Sequence, residues 1–353
     1  MKIAVCFLLF GVLVFTTCSS VVAAEPVTLE NVVAPEANRA DEPLAKEFSL
    51  ASATQFLDSA SLDWQKERKC FACHTNYAYL QVRPLLSSDA PAHRTVRAFA
   101  EELITVRWKE RGPRWDAEVV SAAAALAFND AATTGSLHPL TKTALDRMWT
   151  LQRDDGGWKW LKCKWPPMES DDHYGVTLAA LAVGVAPGGY AQTEPARQGL
   201  AGIRKYLKAN PGTTLHHRAM TLWASTKVTG LLTTAEQKKI VEDLLALQKP
   251  DGGWGLATLG DWKREDGSSQ DTAVSDGYGT GFVIYVLRQA GLPASDARLQ
   301  KGVAWIKTHQ RESGRWFTRS LKKDGKHYIA NAGSAYAVLA LIACDAVEPA
   351  AGK

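Results

Sequence analysis

The chain lacks any cluster of lysine and arginine. Its 41 basic residues are nearly matched by 37 acidic ones, for a formal net charge of +4. That balance argues against a nucleic-acid partner, which calls for a concentrated basic patch. Long apolar runs are also missing. The stretch from Ile3 to Phe15 falls short of the roughly 20 apolar residues needed to span a bilayer. Cysteine is sparse, with 6 in 353 residues. What remains is ordinary globular composition, 46% hydrophobic and 22% charged, long enough for a large core in one or two domains. Two counts stand out, 12 Trp and 27 Gly.

Residues 1–24 read as a signal peptide. Lys2 supplies the positive start, Ile3 to Phe15 the apolar segment, and Val22-Ala23-Ala24 the small residues before a cut near Ala24. Export to the periplasm or cell surface is therefore expected. Cys18 admits a lipoprotein reading, but Phe15-Thr16-Thr17-Cys18 has no Leu three residues upstream, so simple cleavage is preferred. Residues 25–52 are rich in Ala, Glu and Pro and read as a flexible tether. The folded domain is expected over 53–346, with a short tail at 347–353.

Cys6 and Cys18 leave with the signal, so the mature chain keeps Cys70, Cys73, Cys163 and Cys344. In an oxidising compartment a Cys-x-x-Cys pair is bonded to itself, metal-bound or covalently modified.

Self-similarity organises the rest. Leu151-Gln152-Arg153-Asp154-Asp155-Gly156-Gly157-Trp158 matches Leu247-Gln248-Lys249-Pro250-Asp251-Gly252-Gly253-Trp254 and the run Gln310…Gly314…Trp316. A helix ends at each Gln, the Gly takes a positive-φ turn, and the Trp packs back across it. A more apolar, Ala-rich helix follows each turn, as in Tyr174 to Leu181, Gly279 to Leu287 and Ala335 to Leu341. A helix apolar all round is a buried one. Six pairs can be laid out. Outer helices are expected near 55–69, 93–110, 141–152, 195–209, 234–248 and 296–309. Inner helices are expected near 74–86, 115–128, 172–184, 214–226, 276–290 and 330–345. The fold class is thus all-α, an (α/α)6 toroid, with an open solenoid as the alternative.

The run Lys301-Gly302-x-x-Trp305-Ile306-x-x-x-Gln310-x-x-x-Gly314-x-Trp316 is similar to the QW repeat of squalene–hopene cyclases and related terpenoid cyclases. Asp276-Gly277-Tyr278-Gly279-Thr280 resembles the same position in those enzymes and in protein prenyltransferase β subunits. The resemblance covers roughly 55–345. It implies a toroid with a central cavity lined by the inner-helix N-termini, but no particular activity. Those cyclases protonate an alkene with an Asp of a DxDD motif, a carboxylic acid kept protonated in a dry cavity. No DxDD occurs here. The nearest acidic candidates are Asp171, Asp172 and Asp276, with helix capping as the competing reading. The prenyltransferase zinc ligand Asp-x-Cys is replaced by Asp276-Gly277-Tyr278.

The sharpest local motif is Cys70-Phe71-Ala72-Cys73-His74. Cys-x-x-Cys-His in an exported chain is the attachment sequence for c-type haem. Two thiols bond one porphyrin edge, and the adjacent His becomes the proximal iron ligand. Aligning Trp64 with Trp305 puts Lys69 at the Gln position and Cys73 at the turn Gly, so the motif replaces a repeat turn at the ring mouth. Zinc is the alternative and needs further ligands from His216, His217 or Cys163. A disulfide or free thiols would not need His74. Distal iron candidates are His173 and His217, and Cys163 could pair with Cys344. Tyr77, Tyr79, Trp115, Tyr174, Tyr278 and Tyr336 are expected to line the cavity, or merely to fill it. These features suggest a haem protein that transfers electrons to a redox partner protein, or oxidises a hydrophobic ligand. The alternatives are a non-haem toroid that binds an isoprenoid or a protein partner, and a cyclase-like enzyme.

Overall fold

The computed structural model describes residues 25–324 and 328–348. The expected signal peptide, with Cys18 and Ala24, and the last five residues lie outside the described residues. Among the described residues, twelve helices alternate between two rings. The outer ring comprises α1 (Leu50–Arg68), α3 (Pro91–Glu102, continued to Glu110), α5 (Pro139–Trp149), α7 (Glu194–Ala209), α9 (Thr234–Ala246) and α11 (Ala297–Thr308). The inner ring comprises α2 (Ala78–Leu86, preceded by a π-helical turn Cys73–Tyr77), α4 (Asp116–Thr133), α6 (Asp172–Val185), α8 (Leu215–Ser225), α10 (Gly277–Gln289) and α12 (Ile329–Ala343).

Sequence pattern decides which ring a helix joins. In α6 every side chain from His173 to Val183 is buried. In α7 only Ala196, Gly199, Leu200, Ile203, Tyr206 and Leu207 are, a stripe at helical spacing that covers one face. Each inner helix packs on the next, and α12 packs on α2. The ring is therefore closed, and the open solenoid is excluded.

The repeated turns fasten neighbouring repeats. Gln152 donates from Nε2 to Gly156 O at 3.0 Å and to Gly199 O of α7 at 3.0 Å. Gln248 does the same to Gly252 O and to Arg298 O of α11. Gln310 reaches Gly314 O at 3.0 Å and Ser49 O, just before α1, at 2.9 Å. The last turn thus joins the end of the chain to its beginning. Trp158, Trp254 and Trp316 are fully buried. Each donates its indole N–H to the preceding outer helix, at Met148 O, Leu244 O and Ile306 O. Gly314 has φ +89°, and a Cβ there would strike the Ser52 carbonyl.

The first repeat departs from its expected alignment. The left-handed residue is Lys69, the cap of α1 at φ 50°, and Cys73 opens a helical turn. Trp64 donates to Cys70 O at 2.9 Å. Residues 25–49 are also no free tether. Leu44 bridges to Arg311, Ala45 N donates to Gln310 O at 2.8 Å, and the buried Arg315 bonds Glu42, Glu36 O and Ala37 O. Among the described residues no helix is long and apolar enough to cross a membrane.

Candidate functional site

The N-terminal ends of the inner helices converge, and nearly every residue singled out from sequence lies there. His74, in the π-helical turn, is buried. Its Nδ1 lies 2.7 Å from Thr75 Oγ1, and its Nε2 is 3.6 Å from Glu169 Oε1. The ring stacks on Tyr328 at 5.4 Å and meets the edge of Trp64 at 4.6 Å. Asn331 of α12 donates to the same Thr75 hydroxyl, fixing the turn against the last repeat.

The two motif cysteines face different surroundings. Cys70 is half-buried and feels Arg114, Glu118 and Arg107. Cys73 is buried and feels Glu169 and Cys163, and the axial tyrosines feel it in turn. Burial raises both thiols, that of Cys73 far above the usual range. Attachment of one porphyrin needs both sulfurs along one edge and an imidazole clear to face iron. Here the His74 ring is enclosed by Trp64, Tyr328 and Glu169. To face iron, His74 would have to leave these neighbours. For zinc, no three His, Cys, Asp or Glu among the described residues are grouped to hold a metal ion. All four described cysteines are free thiols. Cys163 neighbours Glu169 and Lys322, whereas Cys344 neighbours Arg288 and Asp345, so the two do not pair.

Each of the three acidic candidates is bonded to groups of the protein itself. Asp171 caps α6, accepting from His173 N at 3.1 Å and Tyr174 N at 3.4 Å, and accepts from His217 Nε2 at 3.0 Å. Burial opposes its charge, but the His217 hydrogen bond and charge, with Ser170 and the Tyr174 amide, outweigh it and hold Asp171 at about 2. A carboxyl that stays ionised cannot protonate an alkene. Asp172 binds Arg153 at 2.9 Å and accepts from Trp160 N. Asp276 caps α10. Burial pushes it up to about 6, yet Oδ1 accepts from Gly279 N and Oδ2 from Leu256 N, so neither oxygen is free.

His173 and His217, the expected distal iron candidates, stack on each other at 4.5 Å. Burial, helped by His217, lowers His173 to about 4. His216 shares a 2.9 Å hydrogen bond with Tyr278 OH and stacks on Phe282 at 4.8 Å. His216 and His217 serve as core hydrogen-bonders, whereas His173 packs on His217 with its Nδ1 unpartnered.

Four of the six expected aromatics do meet at the axis. Tyr77, Tyr174, Tyr278 and Tyr336 are fully buried. Tyr278, Phe282 and Tyr336 pack at 5.4–5.5 Å, and Trp223 joins them through Tyr336 and Tyr285. The hydroxyls of Tyr77, Tyr174 and Tyr336 have no hydrogen-bond partner in the protein. The other two aromatics lie elsewhere. Tyr79 turns outward and donates to Asp58 of α1 at 2.6 Å. Trp115, just before α4, is 53% exposed. Glu169 was not singled out from sequence. It sits in the loop before α6, and burial pushes it up to about 7. No spacing marks it, since only the folded loop brings it to His74.

No protein-family model matches the chain. Over 85 residues it is 35% identical to squalene–hopene cyclase from Zymomonas mobilis, a match covering 24% of this chain and 11% of that enzyme. Its fold is similar to ent-copalyl diphosphate synthase from Streptomyces platensis, with TM-score 0.51 and 15% identity over 78% of this chain and 50% of that one. It is similar also to a variant of the type II terpene cyclase MstE from Scytonema, in complex with geranylgeranyl dihydroxybenzoate. That match has TM-score 0.52 and 12% identity, over 83% of this chain and 95% of that one. The chain spans half of the synthase and about a tenth of the curated cyclase. The class defined by fold and comparison is the α/α toroid shared with terpene cyclases.

Proposed function

We propose that this protein is a binding toroid of the terpene-cyclase kind. It takes an isoprenoid-like apolar ligand with a polar end among the axial aromatic rings, and it does not perform acid-initiated cyclisation. The observation that carries this is the set of three buried tyrosine hydroxyls, on three inner-ring segments, that find no partner in the protein. Each unsatisfied buried hydroxyl costs about 1–3 kcal/mol, a cost that a ligand's polar end removes. The surrounding aromatic faces suit a flexible polyene. An isoprenoid-bearing ligand in the similar MstE structure supports the same chemistry. Against a cyclisation acid stand the low pKa of Asp171, the ion pair of Asp172 and the backbone amides that bond each oxygen of Asp276.

Binding of geranylgeraniol, followed by tryptophan fluorescence, tests the reading. Saturable one-to-one binding is expected. The Tyr77→Phe, Tyr174→Phe, Tyr336→Phe triple variant should bind about tenfold more weakly or worse, while the free protein stays at least as stable. Equal affinity in that variant, or no binding to either, overturns it. Squalene incubated with the protein should be recovered unchanged. A cyclised product lost on Asp171→Asn would instead establish a cyclase.

A c-type haem protein with a redox partner is the second reading, and the Cys70-Phe71-Ala72-Cys73-His74 motif is what favours it. Its test is separate. In a host that matures c-type cytochromes, the chain would have to gain the mass of one haem and lose it in Cys70→Ala.

A further inference from the structure

The outer ring is uneven between α7 and α9. A cavity of about 810 Å³ opens there over Arg218 and Thr221 of α8. Leu207, Leu231, Leu232 and Ile240 form its apolar surface, and Arg204, Lys208, Arg218 and Lys239 ring it with positive charge. Little negative charge answers them. Glu236 is the one acid of the lining, and its carboxylate accepts from Thr233 N and Oγ1 in a capping box. Arg218 and Lys239 share Asp243, at 2.8 Å and 2.6 Å. Arg204 spends only Nε, on Thr229 O, and no described residue pairs with Lys208. At the inner end stands His173, 7% exposed, with an Nδ1 that has no partner. An apolar trough, two rim cations (Arg204 and Lys208) without a carboxylate partner among the described residues, and an orphaned buried ring nitrogen are together more than an unpartnered face.

We propose that this groove binds a single-chain lipid anion. Its tail lies on Leu207, Leu231, Leu232 and Ile240, and its carboxylate or phosphate sits at Arg204 and Lys208. Charge complementarity selects this occupant over a neutral lipid or an apolar peptide. The guanidinium of Arg204 offers the paired donors that a carboxylate or phosphate accepts. The site is independent of the axial reading, because Arg204 and Lys208 belong to an outer helix.

Calorimetry on the full chain, with oleate, dodecyl phosphate and dodecanol as probes, none of them an isoprenoid, tests the proposal. One or both anions should bind saturably, dodecanol at least tenfold more weakly. The tighter anion identifies the head group as carboxylate or phosphate. Anion binding should weaken with added salt. The double variant Arg204→Glu, Lys208→Glu alters one half-buried and one exposed side chain and should lose tenfold or more with its melting temperature unchanged. Leu232→Asp, in the trough, should weaken both anions alike, and the triple Tyr→Phe variant should leave them unaffected. Dodecanol binding as tightly as the anions, or the charge-reversed variant binding like the unaltered protein, overturns it.

Discussion

His173 shows what burial does to one side chain. Its pKa falls from 6.5 to about 4, chiefly through desolvation, so the folded chain holds it neutral. The unfolded chain takes up the proton first as pH drops. Stability is therefore full above about 6.5 and is lost as pH falls toward 4, by about 1.4 kcal/mol per pH unit at most. The urea midpoint should fall over that window, and His173→Gln should flatten the curve there. Asp171 acts lower. Its carboxylate is held at about 2 against an ordinary 3.8, so its contribution persists above that value and goes only as pH approaches 2. An unchanged acid limb in His173→Gln would contradict the burial argument.

At the scale of elements, the repeated turn is the joint. Gln310 is almost wholly buried and ties α11 to the start of α1. Gln310→Ala should cost about 1–3 kcal/mol by denaturant titration, and Trp316→Ala about 3–5 kcal/mol. These turns were legible in sequence because Gln, Gly and Trp recur at fixed spacing, each for a local reason. Helix positions were legible too. The inner helix expected near 172–184 is Asp172–Val185, and the outer one expected near 234–248 is Thr234–Ala246. The first repeat was read less well. Cys73 was placed at the left-handed position, which belongs to Lys69, because no glycine marked it. Glu169 was invisible, since an irregular loop has no period. Trp115 was placed inward on helix register alone, but it precedes the helix as a cap and projects outward.

The whole molecule is a ring held shut by its two ends. Beyond the Gln310 bond, Arg315 is buried and meets Glu42 at 2.7 Å. Removing one member of a buried pair strands the other charge. Glu42→Ala should thus lower stability by about 3–5 kcal/mol in thermal or urea unfolding, a large effect for a segment whose composition suggests a tether. Closure also gives the proposed site its place, because inner helices direct aromatic rings to one axis where three of the unpartnered hydroxyls among the described residues gather. The measurement that tests this most directly is native mass spectrometry of the purified protein with geranylgeraniol. The expected spectrum shows the polypeptide with no covalent addition and one non-covalent adduct, which disappears in the triple Tyr→Phe variant. Covalent haem on the chain, or an adduct indifferent to the three hydroxyls, would contradict it.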